Sequence, residues 1–129
     1  MASPAFLAEH SITDAADLLK LPLLHLRSRP TAWEAWFRAE GITTSHVKGM
    51  RLEHFSTTTQ ACIGGIGIGL MPRFLIDSEL ASGELVIAGP EHSAEGKYFL
   101  VLPATGAVKP ANELRSWLLE EVTDDNLEF

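Results

Sequence analysis

An α/β sheet flanked by helices is the fold class this sequence predicts, on three observations. Short apolar runs alternate with helical patterns along the chain, and that alternation builds a sheet with helices packed on it. Apolar content is 46% and charged content 21% over 129 residues, ordinary for a globular protein and enough for one buried core. The stretch from Arg51 to Gly83 reads in order as strand, loop, small-residue helix, a strand ending in Met71-Pro72, and a second helix closed by Gly83. The length suits one domain or part of one.

Ser3-Pro4 ahead of Ala5, Phe6, Leu7 and Ala8 predicts an N-capped short helix with proline in its first turn. Thr13 or Asp14 caps the next, which runs to about Lys20. Pro22 then releases the chain into an apolar strand, Leu23 to Leu26. Ser28-Arg29-Pro30-Thr31 is a loop, and Thr31 with Glu34 three residues on is a capping-box pattern. The helix that follows carries Trp33, Trp36 and Phe37 at i, i+3 and i+4, and Gly41 stops it. This aromatic face is read as core, with ligand stacking as the alternative.

Val47 to Phe55 is the next expected strand, with imperfect alternation. Ser56 or Thr57 is expected to cap a helix through Ala61, Cys62 and Ile63. Gly64, Gly65, Gly67 and Gly69 then turn a helix end into a buried strand, Ile68 to Met71. A phosphate loop would place its glycines between strand and helix and follow them with Lys-Ser/Thr, and neither holds here. Pro72 starts a helix that ends at Ser82-Gly83. Leu85 to Ala88 and Tyr98 to Leu102 are further expected strands, separated by the linker from Gly89 to Ser93. Residues 111–122 form a last amphipathic helix through Leu114, Trp117, Leu118 and Val122.

The formal charge is −7, and Lys and Arg form no basic stripe. Neutralising phosphates needs such a stripe, so direct DNA binding by these residues is not expected. Cys62 is the single cysteine, which excludes an internal disulfide and suits a reducing cytoplasm. The N-terminus lacks the basic and apolar regions of a signal peptide, and no apolar run reaches membrane-spanning length. The expected location is cytoplasmic, without membrane contact.

No catalytic constellation emerges. A Ser-His-Asp hydrolase would want a G-x-S-x-G elbow, which is absent, and His54 sits only two residues from Ser56 on the same strand. The histidines His10, His25, His46, His54 and His92 make no metal-ligand spacing with each other or with Cys62. Neither metal nor cofactor is expected. The run Phe55-Ser56-Thr57-Thr58-Thr59 reads instead as a binding loop. A helix N-terminus offers free N–H groups and a positive dipole end, and hydroxyls there can bond a carboxylate. Plain capping by Ser56 or Thr57 is the bland reading, and the two are compatible. Arg27 and Arg29 are either solvated surface or an anion contact at a cleft rim.

The ordered set of these motifs resembles the C-terminal, effector-binding part of LysR-type transcriptional regulators. It comprises Ser3-Pro4-Ala5-Phe6-Leu7-Ala8, Leu23-Leu24-His25 with Trp33-x-x-Trp36-Phe37, and the Arg51 to Phe74 block with its Leu70-Met71-Pro72-Arg73. Glu79 to Val86, Tyr98 to Pro103 and Leu114-x-x-Trp117-Leu118 complete it, so it spans nearly the whole chain. It is most similar to the subgroup that regulates glycine-cleavage and β-lactamase genes. The resemblance implies a periplasmic-binding-protein-like (type II) subdomain, with a mixed sheet flanked by helices. Residues 1–88 would be the second subdomain. Residues 89–129 would be a returning strand and helix of an incomplete first subdomain. DNA contact would come only through a helix-turn-helix domain absent from these residues.

The resemblance also places a ligand site at His54, Phe55, Ser56 and Thr57, with the strand end Leu26, Arg27 and Ser28 beside it. The expected partner is a small-molecule effector such as a carboxylate. An apolar strand such as Tyr98–Leu102, parted from its sheet, should not stay exposed. Pairing within its own subdomain, a strand swap or docking on another chain would each cover it, and a homodimer or strand-swapped dimer is expected. The competing expectation is a truncated regulator that acts as an interaction module, without ligand or DNA binding of its own. A solute-binding protein of the same fold is a third, weakened by the missing signal peptide.

Overall fold

Ser3 starts the first helix as its spacing foretells. Its hydroxyl accepts from the Phe6 amide at 3.3 Å and Pro4 occupies the first turn, giving α1 (Pro4–Glu9). Asp14 caps the next element. Its carboxylate accepts from Ala16 and Asp17 amides at 2.8 and 3.1 Å, while Asp17 reaches back to the Asp14 amide. The six residues Ala15–Lys20 wind as a 3-10 helix. The structure, a computed structural model, describes residues 1–92, 100–101 and 108–124.

β1 (Leu23–Leu26) is buried at all four positions, the pattern of a strand covered on both faces. It lies at the centre of a three-stranded sheet, between β2 (Met50–Leu52) and β3 (Ile68–Gly69). All three pair in parallel, and parallel pairing demands a crossover between strands. α2 (Ala32–Ala39) is the first crossover and α3 (Phe55–Ile63) the second. Among the described residues an isolated bridge between Ala2 and Val86 is antiparallel.

Alternating side chains of β1 serve two cores. Leu23 packs with Phe6, Leu18, Trp33, Trp36 and Phe37 on one side. Leu24 packs with Ala61, Cys62, Met71, Ile76 and Leu85 on the other. α2 and α3 therefore cover opposite faces of the sheet. Each fully buried side chain of this size contributes about 1.5–3 kcal/mol.

Several expected boundaries move. Thr31 does precede α2, but its side chain makes no capping bond, so the box with Glu34 stays open. Gly41 follows that helix at φ +75°, as its stop requires. The strand expected over Val47 to Phe55 shrinks to Met50–Leu52, because Val47 enters the core from a loop and Phe55 is already helical. The cap of α3 is His54, not Ser56 or Thr57. Pairing in β3 ends at Gly69 rather than Met71. The helix expected after Pro72 splits at the fully buried Ile76 into a 3-10 turn, Arg73–Leu75, and α4 (Asp77–Ser82). Gly83 closes it at φ +77°. The strand expected from Leu85 to Ala88 reduces to the single bridge at Val86.

The small-residue reading of α3 finds its reason at Gly69, where a Cβ would lie 2.9 Å from the Cys62 sulfur. The helix packs almost directly on the β3 backbone. Cys62 is fully buried, and burial pushes its thiol above the ordinary range, so it stays protonated.

The chain divides into two compact units, Met1–His92 and Ser93–Phe129. In the second, α5 (Val108–Asp124) contains the expected helix 111–122. The expected strand Tyr98–Leu102 lies outside the described residues except for Leu100 and Val101, which are exposed and in no strand. No helix among the described residues is long and apolar enough to cross a membrane.

Candidate functional site

Parallel register brings two distant segments together. Leu26 stands opposite Leu52, and the ladder extends one bond further, from the Arg27 amide to the Leu52 carbonyl at 2.8 Å. The chain then turns, with the Arg29 amide donating to the Leu26 carbonyl at 2.9 Å. Arg27-Ser28 and Glu53-His54 thus lie side by side at the carboxyl ends of adjacent strands. β1 leads into α2 on one face and β2 into α3 on the other. Both segments therefore lie outside the carboxyl ends of parallel strands, the edge at which open α/β sheets bind ligands.

Side chains at this edge divide by role. The Leu26 side chain is 7% exposed and belongs to the sheet, so it offers the site only backbone. Arg27, Ser28, His54, Ser56 and Thr57 are exposed and Phe55 is half-buried. A guanidinium nitrogen of Arg27 meets Glu53 Oε1 at 2.6 Å. Both side chains are roughly two-thirds exposed (65% and 63%), so the pair contributes at most about 1 kcal/mol. The Arg29 guanidinium sits 5.4 Å from the Phe55 ring centroid, a cation–π distance.

The four hydroxyls from Ser56 to Thr59 also separate. Thr58 donates to the His54 carbonyl at 3.1 Å and Thr59 to the Phe55 carbonyl at 2.9 Å. Thr59 further approaches Met71 Sδ at 3.2 Å. These two hydroxyls serve the helix. Ser56 and Thr57 face outward on the first turn of α3, where amides have no intrahelical acceptor and the dipole is positive.

A shallow concavity of about 300 Å³ adjoins them, lined by Phe55, Ser56, Thr59, Gln60, Leu75 and Glu79. Sequence reasoning missed Gln60, Leu75 and Glu79. The spacing 55, 56, 59, 60 is one face of a helix and was a usable signal for Gln60. Leu75 and Glu79 come from a separate segment that only packing brings near. Among the described residues no group of His, Cys, Asp and Glu is placed to hold a metal ion.

Comparison with known proteins adds the following. A family model described as LysR substrate binding domain matches residues 1–123. The HTH-type transcriptional regulator TrpI of Pseudomonas aeruginosa is 33% identical over 109 residues, which are 84% of this chain and 37% of that protein. The HTH-type transcriptional regulator PerR of Escherichia coli is 29% identical over 110 residues, 82% of this chain and 37% of that protein. This chain therefore spans little more than a third of the length of these relatives. Among solved structures, the effector domain of the regulator AmpR from Pseudomonas aeruginosa superposes with a TM-score of 0.73 at 23% identity, covering 95% of this chain and 59% of that one. The AmpR effector-binding domain from Citrobacter freundii gives 0.77 at 22% identity, covering 96% and 62%. The fold is the periplasmic-binding-protein-like α/β fold of such effector domains.

Proposed function

The chain belongs to the LysR substrate-binding domain family, and from that membership we propose that it binds a small-molecule effector at the carboxyl ends of β1 and β2, in the service of transcription control. The observation that carries this reading is the register that gathers exposed Arg27, Ser28, His54, Ser56 and Thr57 at the carboxyl ends of β1 and β2. A carboxylate is the favoured ligand class, since the first turn of α3 presents amides, two outward hydroxyls and the positive end of a dipole. DNA contact is assigned to a helix-turn-helix segment outside these residues, because a chain of net charge −7 has no basic stripe for phosphates. The proposed setting is the cytoplasm.

Within this reading residues 1–88 are the second subdomain of the effector domain, and residues 89–129 are the returning strand and helix of an incomplete first subdomain. A one-sided cleft encloses little of a ligand, so affinity in the millimolar range is expected. Titration of the isotope-labelled chain with small carboxylates should move amide resonances at residues 54–57. Ser56→Ala and Thr57→Ala should each weaken binding about two- to tenfold, the value of one hydrogen bond. Shifts that ignore both substitutions would place the ligand elsewhere.

A second reading, self-association, is favoured by α5, where Leu114 and Trp117 stand 47% and 54% exposed one turn apart. Copies of the chain would cover this face by pairing. Light scattering over a concentration series should then give a dimer mass without any ligand, and Trp117→Glu should shift it toward monomer. A monomer at every concentration would end this reading.

A further inference from the structure

Glu53 holds a position that bears on which effectors the strand-end site accepts. Its carboxylate occupies the Arg27 guanidinium at 2.6 Å, across the register that sets Leu26 beside Leu52. We propose that Glu53 makes this site selective for ligands carrying both a carboxylate and an ammonium group, of the amino-acid type, over plain carboxylates. The proposal rests on the effector reading of the site given above.

The argument is one of charge balance. The Arg27–Glu53 pair is well solvated, so opening it costs little. A plain carboxylate that takes Arg27 leaves Glu53 as an unpaired like charge within a few ångströms, and the two repel. An amino-carboxylate replaces both halves of the pair at once. Its carboxylate meets Arg27 while its ammonium meets Glu53, and no charge is left alone. The wider neighbourhood has the same balance. Arg29 lies over one side of Phe55, and Glu79 lines the concavity that Phe55 and Ser56 share. One cation and one carboxylate thus adjoin the half-buried ring, as one of each stands at the strand ends, and this balance favours a ligand of no net charge with an apolar body. The concavity contributes Leu75 beside the ring for that body.

The test compares three probes on the 129-residue chain by chemical-shift titration: L-phenylalanine, 3-phenylpropionate and phenethylamine. The expected order puts phenylalanine about two- to fivefold tighter than either single-charge analogue, the size of one exposed charge pair. Glu53→Gln should weaken phenylalanine and strengthen 3-phenylpropionate, so that the preference vanishes or reverses. Raised salt should shrink the preference in the unmodified chain. Opposite shifts for the two ligands are a result that a merely structural role of Glu53 would not produce. Equal binding of phenylalanine and 3-phenylpropionate overturns the selectivity and leaves the effector site standing. Parallel weakening of both ligands by Glu53→Gln does the same. If none of the three binds at residues 26–28 and 53–57, the effector reading falls and the selectivity with it.

Discussion

Trp33→Ala is expected to remove about 3–5 kcal/mol of stability, the usual cost of deleting a buried tryptophan. The residue is 2% exposed and joins the central strand to α2 in two ways. Its ring packs against Trp36 and Phe37 at centroid distances of 5.8 and 5.7 Å. Its indole N–H donates to the Leu24 carbonyl at 2.9 Å in a buried setting. Truncation therefore opens a cavity and removes a buried donor together. Small domains hold only about 5–15 kcal/mol in total, so much of the population would unfold at modest denaturant. Trp33→Phe separates the two losses: it keeps most of the packing and removes the hydrogen bond, at about 1–3 kcal/mol. Urea unfolding followed by circular dichroism gives both values. A loss below about 1 kcal/mol for the alanine variant would mean that α2 is not bound to β1 as described.

Gly49→Ala is the second large effect, and it arises from sterics rather than lost contacts. A Cβ at position 49 would lie 2.1 Å from the Leu23 carbonyl oxygen and 2.6 Å from the His25 ring. The oxygen is backbone of the central strand, which moves only if the strands separate. The expected cost is at least about 3 kcal/mol, at or beyond the upper end of ordinary overpacking. Because β1 and β2 carry the two halves of the candidate site, the variant should also disturb Arg27–Glu53. Gly41→Ala is the control. Gly41 adopts φ +75° with nothing within 4 Å of its added Cβ, so only the left-handed backbone opposes alanine, at about 1–2 kcal/mol. Equal thermal shifts for the two variants would show that the sheet accepts a side chain at 49. Gly67 repeats the arrangement on the other flank, its Cβ position 2.4 Å from the Pro22 carbonyl oxygen. A glycine thus stands immediately before each strand that pairs with β1.

Much of the fold was legible where the cause is local. Ser3 and Asp14 cap as expected because a cap needs only the next two or three amides. Gly41 and Gly83 stop helices because the left-handed turn is intrinsic to that residue. Leu23 to Leu26 stood out as an uninterrupted apolar run, the mark of a strand covered on both faces. The segments 26–28 and 54–57 were proposed from the family resemblance, and the hydroxyl run drew attention to 55–59 on its own. Where short-range signals compete, the sequence misled. Four hydroxyl residues follow His54, yet none of the first two caps α3, and Thr58 and Thr59 point inward. Thr31 and Glu34 have capping-box spacing without the bond, since spacing does not impose the rotamers that close it.

What the sequence determined by itself is most of the elements of residues 1–83, their order, and the chemistry available at each end of them. These depend on interactions within about four residues, which the chain carries wherever it folds. Only the tertiary structure decided the sheet order β2-β1-β3, and with it the pairing of Arg27 with a glutamate 26 positions away. It also decided which hydroxyls serve the helix and which face solvent, and brought Leu75 and Glu79 beside Ser56. The physical reason is that strand pairing and burial are selected by the joint packing of both faces of β1, a condition that no local window of residues contains.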